Sequence, residues 1–150
     1  METVKRAILN DRFCMETVGI ELVAVRPGWA QTRLAVGPQH LNGLGIVQGG
    51  AIFTLADLAL AAAANSHGSA AVSVNAGITY AKAVAKGVLY AEAVEESRGT
   101  RLGTYTVRVT DEADELVAMM QATVYRKKER LAELLERKEQ PHPSDEAPRG

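Results

Sequence analysis

Cysteine is almost missing from this chain: Cys14 is the single thiol among 150 residues. An internal disulfide is therefore excluded, and a thiolate metal centre would lack its ligands, which fits a reducing compartment. Aromatic side chains are scarce, with two Phe and one Trp, so a platform for stacking successive bases is not supplied. Neither sign of charge dominates. Seventeen basic residues against 18 acidic ones give a net charge of −1, without the basic footprint of a nucleic-acid binder. His40, His67 and His142 lack metal-ligand spacing, so neither a metal nor another cofactor is expected. Gly43, Gly45, Gly49 and Gly50 do not form GxGxxG, and no Gly-Lys-Ser/Thr follows them, which argues against a nucleotide loop. The longest apolar run, from Ala51 to Ala64, is broken by Asp57 and falls short of the roughly 20 residues a bilayer crossing needs. The opening METVKRAILNDRFC has no apolar core of a secretory signal. The expectation is a cytoplasmic protein with neither a membrane nor a nucleic-acid partner.

What is present suits a single domain. Hydrophobic residues make up 47% and charged residues 23%, and a chain of this length buries roughly 70% of its unfolded surface. Residues 1–16 mix charge with Val4, Ile8 and Leu9, predicting a short amphipathic helix. Val18, Ile20 and Leu22 alternate up to the Pro27-Gly28 turn, and Thr32, Leu34 and Val36 repeat the alternation, predicting two strands in a hairpin. The Ala/Leu-rich segment Ala51–Asn65 predicts a helix that is apolar nearly all round and hence buried, with His67-Gly68 as its stop. Four more strands follow, over Ala71–Ala81, Val88–Ser97, Gly103–Thr110 (Tyr105, Val107 and Val109 on one face) and Leu116–Tyr125. Their connections are short, so neighbours should be antiparallel. Residues 126–139 read as a charged helix with a narrow Leu131/Leu134/Leu135 stripe, and PHPSDEAPRG as a disordered tail. The fold class is α+β: an antiparallel sheet wrapped around one long central helix, each needing the other's apolar face. The expected parts are a helical segment over 1–16, the domain over 17–126, and the charged helix with tail over 127–150.

The stretch HLNGLGIVQGGAIFTLADLALAAAANS, His40 to Ser66, carries the chemistry. Its run of His40-Leu41-Asn42-Gly43, Gly49-Gly50, Leu55-Ala56-Asp57 and Asn65-Ser66 resembles the hotdog-fold acyl-CoA thioesterases of the phenylacetic-acid-degradation (PaaI-like) type. The likeness covers about residues 15–126, and its most specific part is Gly-Gly followed after six residues by Asp, with the upstream Asn. It implies a homodimer, often paired into a homotetramer, that hydrolyses acyl-CoA at sites between subunits. Carried over, the catalytic carboxylate falls on Asp57, the amide that polarises the thioester carbonyl on Gly49, and the polar side chain seven positions earlier on Asn42. Gln48, Gly50, Ser66 and Lys82 are the expected substrate-binding residues, with Arg98 and Arg101 further candidates for the CoA phosphates. Two positions depart from the pattern. Gln48 stands where many relatives have His, and it donates a hydrogen bond but does not titrate. Ala61 stands where a distinct branch has Thr.

A helix start has unpaired N–H groups and partial positive charge, and glycine there admits a substrate close to the backbone. Asp57 would act as a general base on water or as a nucleophile. It lies about 12 Å along the axis from Gly49, too far for both to act on one carbonyl within one chain, so antiparallel helices of two subunits would bring them together. Plainer roles stand beside these: Asp57 as an acid capped by Thr54, the glycines as helix entry, Asn42 as an Asx-turn, Ser66 as a helix-end hydroxyl without a His–Asp escort, and Lys82 as a solvated charge. Rival functions are a non-catalytic acyl-CoA-binding sensor, and a dehydratase or hydratase using His40.

Overall fold

The computed structural model describes residues 1–140; the tail assigned to disorder lies outside them. The element order is α1 (Glu2–Leu9), a π-helical turn (Phe13–Val18), β1 (Glu21–Arg26), β2 (Trp29–Ala35), a short 3-10 turn (Pro38–His40), α2 (Gly49–Asn65), β3 (Ser69–Tyr80), β4 (Val88–Arg98), β5 (Leu102–Thr110), β6 (Leu116–Arg130) and α3 (Leu131–Glu139). The six strands form one sheet in the order β1-β2-β4-β5-β6-β3, and every adjacent pair is antiparallel. The predicted sequence of two strands, a long helix and four strands is the one observed.

α2 lies in the hand of the sheet, packing against β2, β3, β4 and β5. Ala56, Ala59, Ala62 and Ala63 are wholly buried, and side chains this small let the helix axis come close to the strands. Leu55 and Leu60 fill the remaining space, each stabilising the fold by about 1.5–3 kcal/mol through burial. The facing side is supplied by alternation: Tyr105, Val107 and Val109 of β5 all point inward, as expected from the sequence.

Several boundaries differ from the sequence reading: α1 ends at Leu9 within the segment read as helical over 1–16, and α2 begins at Gly49, two residues before the predicted Ala51. Val18 is buried but belongs to the π-helical turn, which ends where Gly19 takes φ +84, so β1 begins only at Glu21. β3 begins at Ser69, two residues before the predicted Ala71. The charged run from residue 126 does not start as a helix, because β6 continues through it and pairs with the beginning of β3, Ala71 opposite Arg126 and Ser69 opposite Arg130. Ladder pairing outweighs the helical propensity of these charged residues, and α3 starts at Leu131, with Leu131 and Leu135 buried.

Candidate active site

The loop before α2 is held in shape by its own polar groups. Asn42 Oδ1 accepts hydrogen bonds from the N–H groups of Leu44 (2.9 Å) and Ile46 (3.3 Å), so the Asx-turn is present and engages the oxygen of the side chain carried over as a catalytic candidate. Gly45, at φ +75, completes the turn. His40 is buried; its Nδ1 accepts from the Gly37 N–H at 2.9 Å, and its Nε2 lies 2.6 Å from the Val18 carbonyl. Both ring nitrogens are thus committed to backbone, which leaves none for the acid–base role a hydratase would ask of it.

This loop delivers the chain to the helix start. The Gln48 carbonyl accepts from the N–H groups of Ala51 and Ile52. The N–H groups of Gly49 and Gly50 have no acceptor among the described residues, as expected for the first turn of a helix. The Gln48 side chain is exposed and makes no capping bond. Tyr80, at the end of β3, leans on this turn. Its hydroxyl donates to the Gly49 carbonyl at 2.9 Å, and a Cβ on residue 49 would lie 3.1 Å from both Cζ and Oη of Tyr80. A side chain at 49 would therefore crowd the tyrosine, which would have to shift by a few tenths of an ångström to admit it. Gly50 faces open space, with only Gln48 Cγ at 3.8 Å.

Asp57 sits two turns further along, half-buried, at a cavity of about 250 Å³ lined by Leu60, Ala61, Ala64, Ala71, Val72, Ser73 and Val124. Thr54 does not cap it; that hydroxyl donates to the Gly50 carbonyl at 2.7 Å. Its carboxylate has no hydrogen-bond partner among the described residues, whereas polar groups withdrawn from water are ordinarily hydrogen-bonded in folded proteins. Burial raises its pKa above the usual carboxylate value, and the negative charge of Asp11 raises it further. Asp11 comes from the turn joining α1 to the π-helical turn, where its Oδ1 accepts from the Cys14 N–H at 2.9 Å. Between them the Cys14 thiol is buried and pushed up to about 12, by desolvation first and then by its hydrogen bond to Asp11 and the charges of Asp11 and Asp57. It is a neutral, inert thiol.

The other end of α2 is closed. Ser66 Oγ accepts from the Gly28 N–H at 2.8 Å and donates to the Ala63 carbonyl at 2.6 Å, so this candidate substrate ligand is engaged in tying the β1–β2 turn to the helix end. The Asn65 side chain bonds the Ala61 carbonyl and both backbone groups of Ala71. His67 Nε2 meets Glu95 Oε2 at 2.8 Å, and the Tyr105 hydroxyl donates to the same oxygen at 2.5 Å. Burial drives the Glu95 carboxyl upward, but the hydrogen bonds from Tyr105 and His67, with the charges of His67 and Arg98, outweigh it and leave its pKa lowered. Arg126 is buried beside this group, and one guanidinium nitrogen donates to the Gly99 carbonyl at 2.5 Å. Arg101 bonds the Arg126 carbonyl at 3.4 Å. Lys82 is also engaged: its ammonium bonds Asp111 at 2.6 Å and Glu115, and those hydrogen bonds raise its pKa. The structure therefore gathers Gln48, Gly49 and Gly50 at one helix end and Asp57 along the same helix, while Ser66 and Lys82 are bound elsewhere. Sequence reasoning missed Tyr80 and Asp11, which reach the site from outside the motif.

Among the described residues, no group of three His, Cys, Asp or Glu side chains could hold a metal ion, and no helix is long and apolar enough to cross a membrane. A six-stranded antiparallel sheet closed on one long helix, with open amides at that helix's start, defines a hotdog-fold protein. Residues 44–118 match the thioesterase superfamily model, and the chain belongs to that family; it is a thioester hydrolase of the PaaI-like group. An Archaeoglobus fulgidus protein with a provisional esterase name is 38% identical over 127 residues, covering 84% of this chain and 82% of its own. The Escherichia coli acyl-coenzyme A thioesterase PaaI is 31% identical over 121 residues, covering 80% and 86%. The E. coli PaaI structure superposes with a TM-score of 0.80 at 28% identity, over 86% of this chain and 96% of that one. A Streptococcus mutans protein bound to acetyl CoA superposes with a TM-score of 0.69 at 26% identity, over 72% and 88%.

Proposed function

We propose that this protein hydrolyses aryl- or medium-chain acyl-CoA to the free acid and CoA, at sites shared between two protomers of a homodimer that itself pairs into a homotetramer. The thioester carbonyl lies at the start of α2, where the Gly49 amide stabilises the oxygen as it becomes negative, with Gly50 and Gln48 beside it. Asp57 of the other protomer either takes a proton from the attacking water or attacks the carbonyl itself. The tetrahedral intermediate then expels the CoA thiolate, a good leaving group that needs no strong acid; attack by water leaves the free acid directly, whereas attack by Asp57 leaves an acyl-enzyme anhydride that water hydrolyses to the free acid and the restored carboxylate. Asn42 serves by shaping the loop that presents the glycines.

The observation that carries this reading is an unpartnered carboxylate with a raised pKa, Asp57, at an apolar cavity on the helix whose first amides are unpaired. A half-buried acid whose carboxylate faces an apolar cavity with no protein partner is partly desolvated at some cost to folding, and a catalytic task accounts for its place. The dimer is supported by the sheet edges. β3, 12 residues long, is an edge strand that exposes Val72, Val74 and Tyr80; a long apolar edge of this kind pairs readily with another strand. The opposite edge, β1, is short and carries Glu21 and Arg26. Pairing two β3 strands antiparallel sets two α2 helices side by side and antiparallel, which closes the ~12 Å gap between Asp57 and Gly49 along a single helix.

The test is thiol release from a panel of acyl-CoAs by wild type and Asp57→Ala. The expected result is turnover of an aryl- or medium-chain substrate, with kcat reduced by about 10²–10⁴ in the variant. Equal rates would remove Asp57 from the mechanism, and tight binding without turnover of any acyl group would favour a sensor.

A further inference from the structure

The Gly49–Gly50 peptide forms the opening of the proposed oxyanion site, Gly49 partly buried and Gly50 exposed, yet it is not held by the helix alone. Tyr80 reaches it from β3, an element 31 positions away in sequence, and its hydroxyl donates to the Gly49 carbonyl at 2.9 Å. That carbonyl and the Gly50 N–H are the two ends of one planar peptide unit. A donor on the oxygen draws electron density from the nitrogen, so the N–H at the other end becomes a stronger donor. The aromatic ring adds a steric constraint, since its Cζ and Oη stand 3.1 Å from where a side chain on residue 49 would begin. Peptide orientation and polarity are thus both set by a residue that is itself half exposed.

We propose that Tyr80 is a positioning residue for thioester hydrolysis: it clamps the Gly49–Gly50 peptide so that the Gly50 N–H stands beside that of Gly49 as a second, strengthened donor to the developing oxyanion. The assignment rests on the oxyanion role of the helix start proposed above. It explains three observations together. Tyr80 crowds the position a side chain on Gly49 would take, Gly50 has open space in front of it, and neither amide has an acceptor within the described residues. It also gives a tyrosine on an exposed strand end a hydrogen bond that a purely apolar contact would not need.

Tyr80→Phe deletes the hydroxyl and keeps the ring. It is expected to lower kcat roughly 3- to 10-fold, the size of one modest hydrogen bond, with KM changed less than about twofold because the bond matters most when the oxygen is charged. The amide nitrogen resonance of Gly50 should move upfield in the free protein, reporting the loss of polarisation without reference to activity. If the variant fails to fold, 3-fluorotyrosine at position 80, un-ionised and a stronger donor, should move the same resonance downfield. An unchanged kcat, or a Gly50 resonance that stays in place, overturns the assignment. Asp57→Asn measured alongside separates the two readings. If it is fully active the proposed mechanism fails, while the Gly50 resonance still decides the role of Tyr80; if it is inactive and Tyr80→Phe is not impaired, only the tyrosine assignment fails.

Discussion

The two ends of α2 are built on opposite rules. At the C-terminal end, Ser66, Asn65, His67, Glu95 and Tyr105 bind one another or nearby backbone through short hydrogen bonds. At the N-terminal end, the amides of Gly49 and Gly50 have no acceptor, the Gln48 side chain makes no cap, and Asp57 has no partner. The first arrangement is held by its own hydrogen bonds, although Arg126 beside it keeps Nε and Nη2 buried without partners; the second leaves partly exposed polar groups open to solvent or a ligand. The comparison teaches that one helix is anchored at its tail so that its head can stay unsatisfied and receive a ligand.

Substitutions at the two ends should therefore have opposite effects. Asp57→Asn should reduce kcat by about 10²–10⁴ and raise the thermal midpoint at neutral pH. The sign follows from its raised pKa. The folded state holds this proton more tightly than the unfolded chain does, so the stabilisation is full below the unfolded carboxylate value and is lost as pH rises through the folded one. A neutral amide avoids that loss. An inactive variant with a lower midpoint at neutral pH would mean that Asp57 supports the fold. Glu95→Gln should do the reverse, costing about 1–3 kcal/mol of stability in denaturant titration through the loss of charge on its hydrogen bonds from His67 and Tyr105, while kcat per folded molecule stays close to wild type. Because the Glu95 pKa is lowered, its contribution is present above the unfolded carboxylate value and fades as pH falls through the folded one. A large kcat loss in folded Glu95→Gln would place this cluster in the chemistry.

The smallest expected effect concerns Asp11. No other charged residue lies on α2, and none lies on the β3 strand packed against it; the charge acting on Asp57 comes from Asp11, and the intervening Cys14 thiol is neutral. Asp11→Asn keeps an acceptor for the Cys14 N–H but removes the charge, so the acid limb of kcat/KM should move to lower pH, making the variant faster than wild type on that limb. A limb that does not move would show that burial alone sets the titration of Asp57.

Much of this was legible in the sequence because the deciding interactions are local. The Ala/Leu run with one acid announced α2, alternation announced the inward face of β5, and the Gly-Gly spacing to Asp57 located the helix start and the carboxylate on one element. The Asx-turn of Asn42 was among the alternatives for the same reason. What escaped was non-local. The charged residues from Arg126 to Arg130 read as helix until β3 supplies a strand to pair with. Lys82 read as a free cation, but Asp111 and Glu115 meet it across the sheet end. Tyr80 and Asp11 approach α2 from a strand terminus and a turn that no periodicity connects to it.

Whether each site takes Asp57 from one protomer and the helix start from the other is decided by mixing two inactive variants. Gly49→Pro deletes the amide donor, and Gln48, with φ −56 and ψ 131, already has the extended conformation a following proline prefers; the new Cβ would lie 3.1 Å from Tyr80, a half-exposed ring that shifts by a few tenths of an ångström to admit it. Unfolded together with Asp57→Asn and refolded, half of the dimers are mixed, and each mixed dimer holds one site with both groups intact. Recovery of about one quarter of wild-type activity is expected. A mixture that forms mixed dimers and stays as inactive as its parents would contradict the shared site.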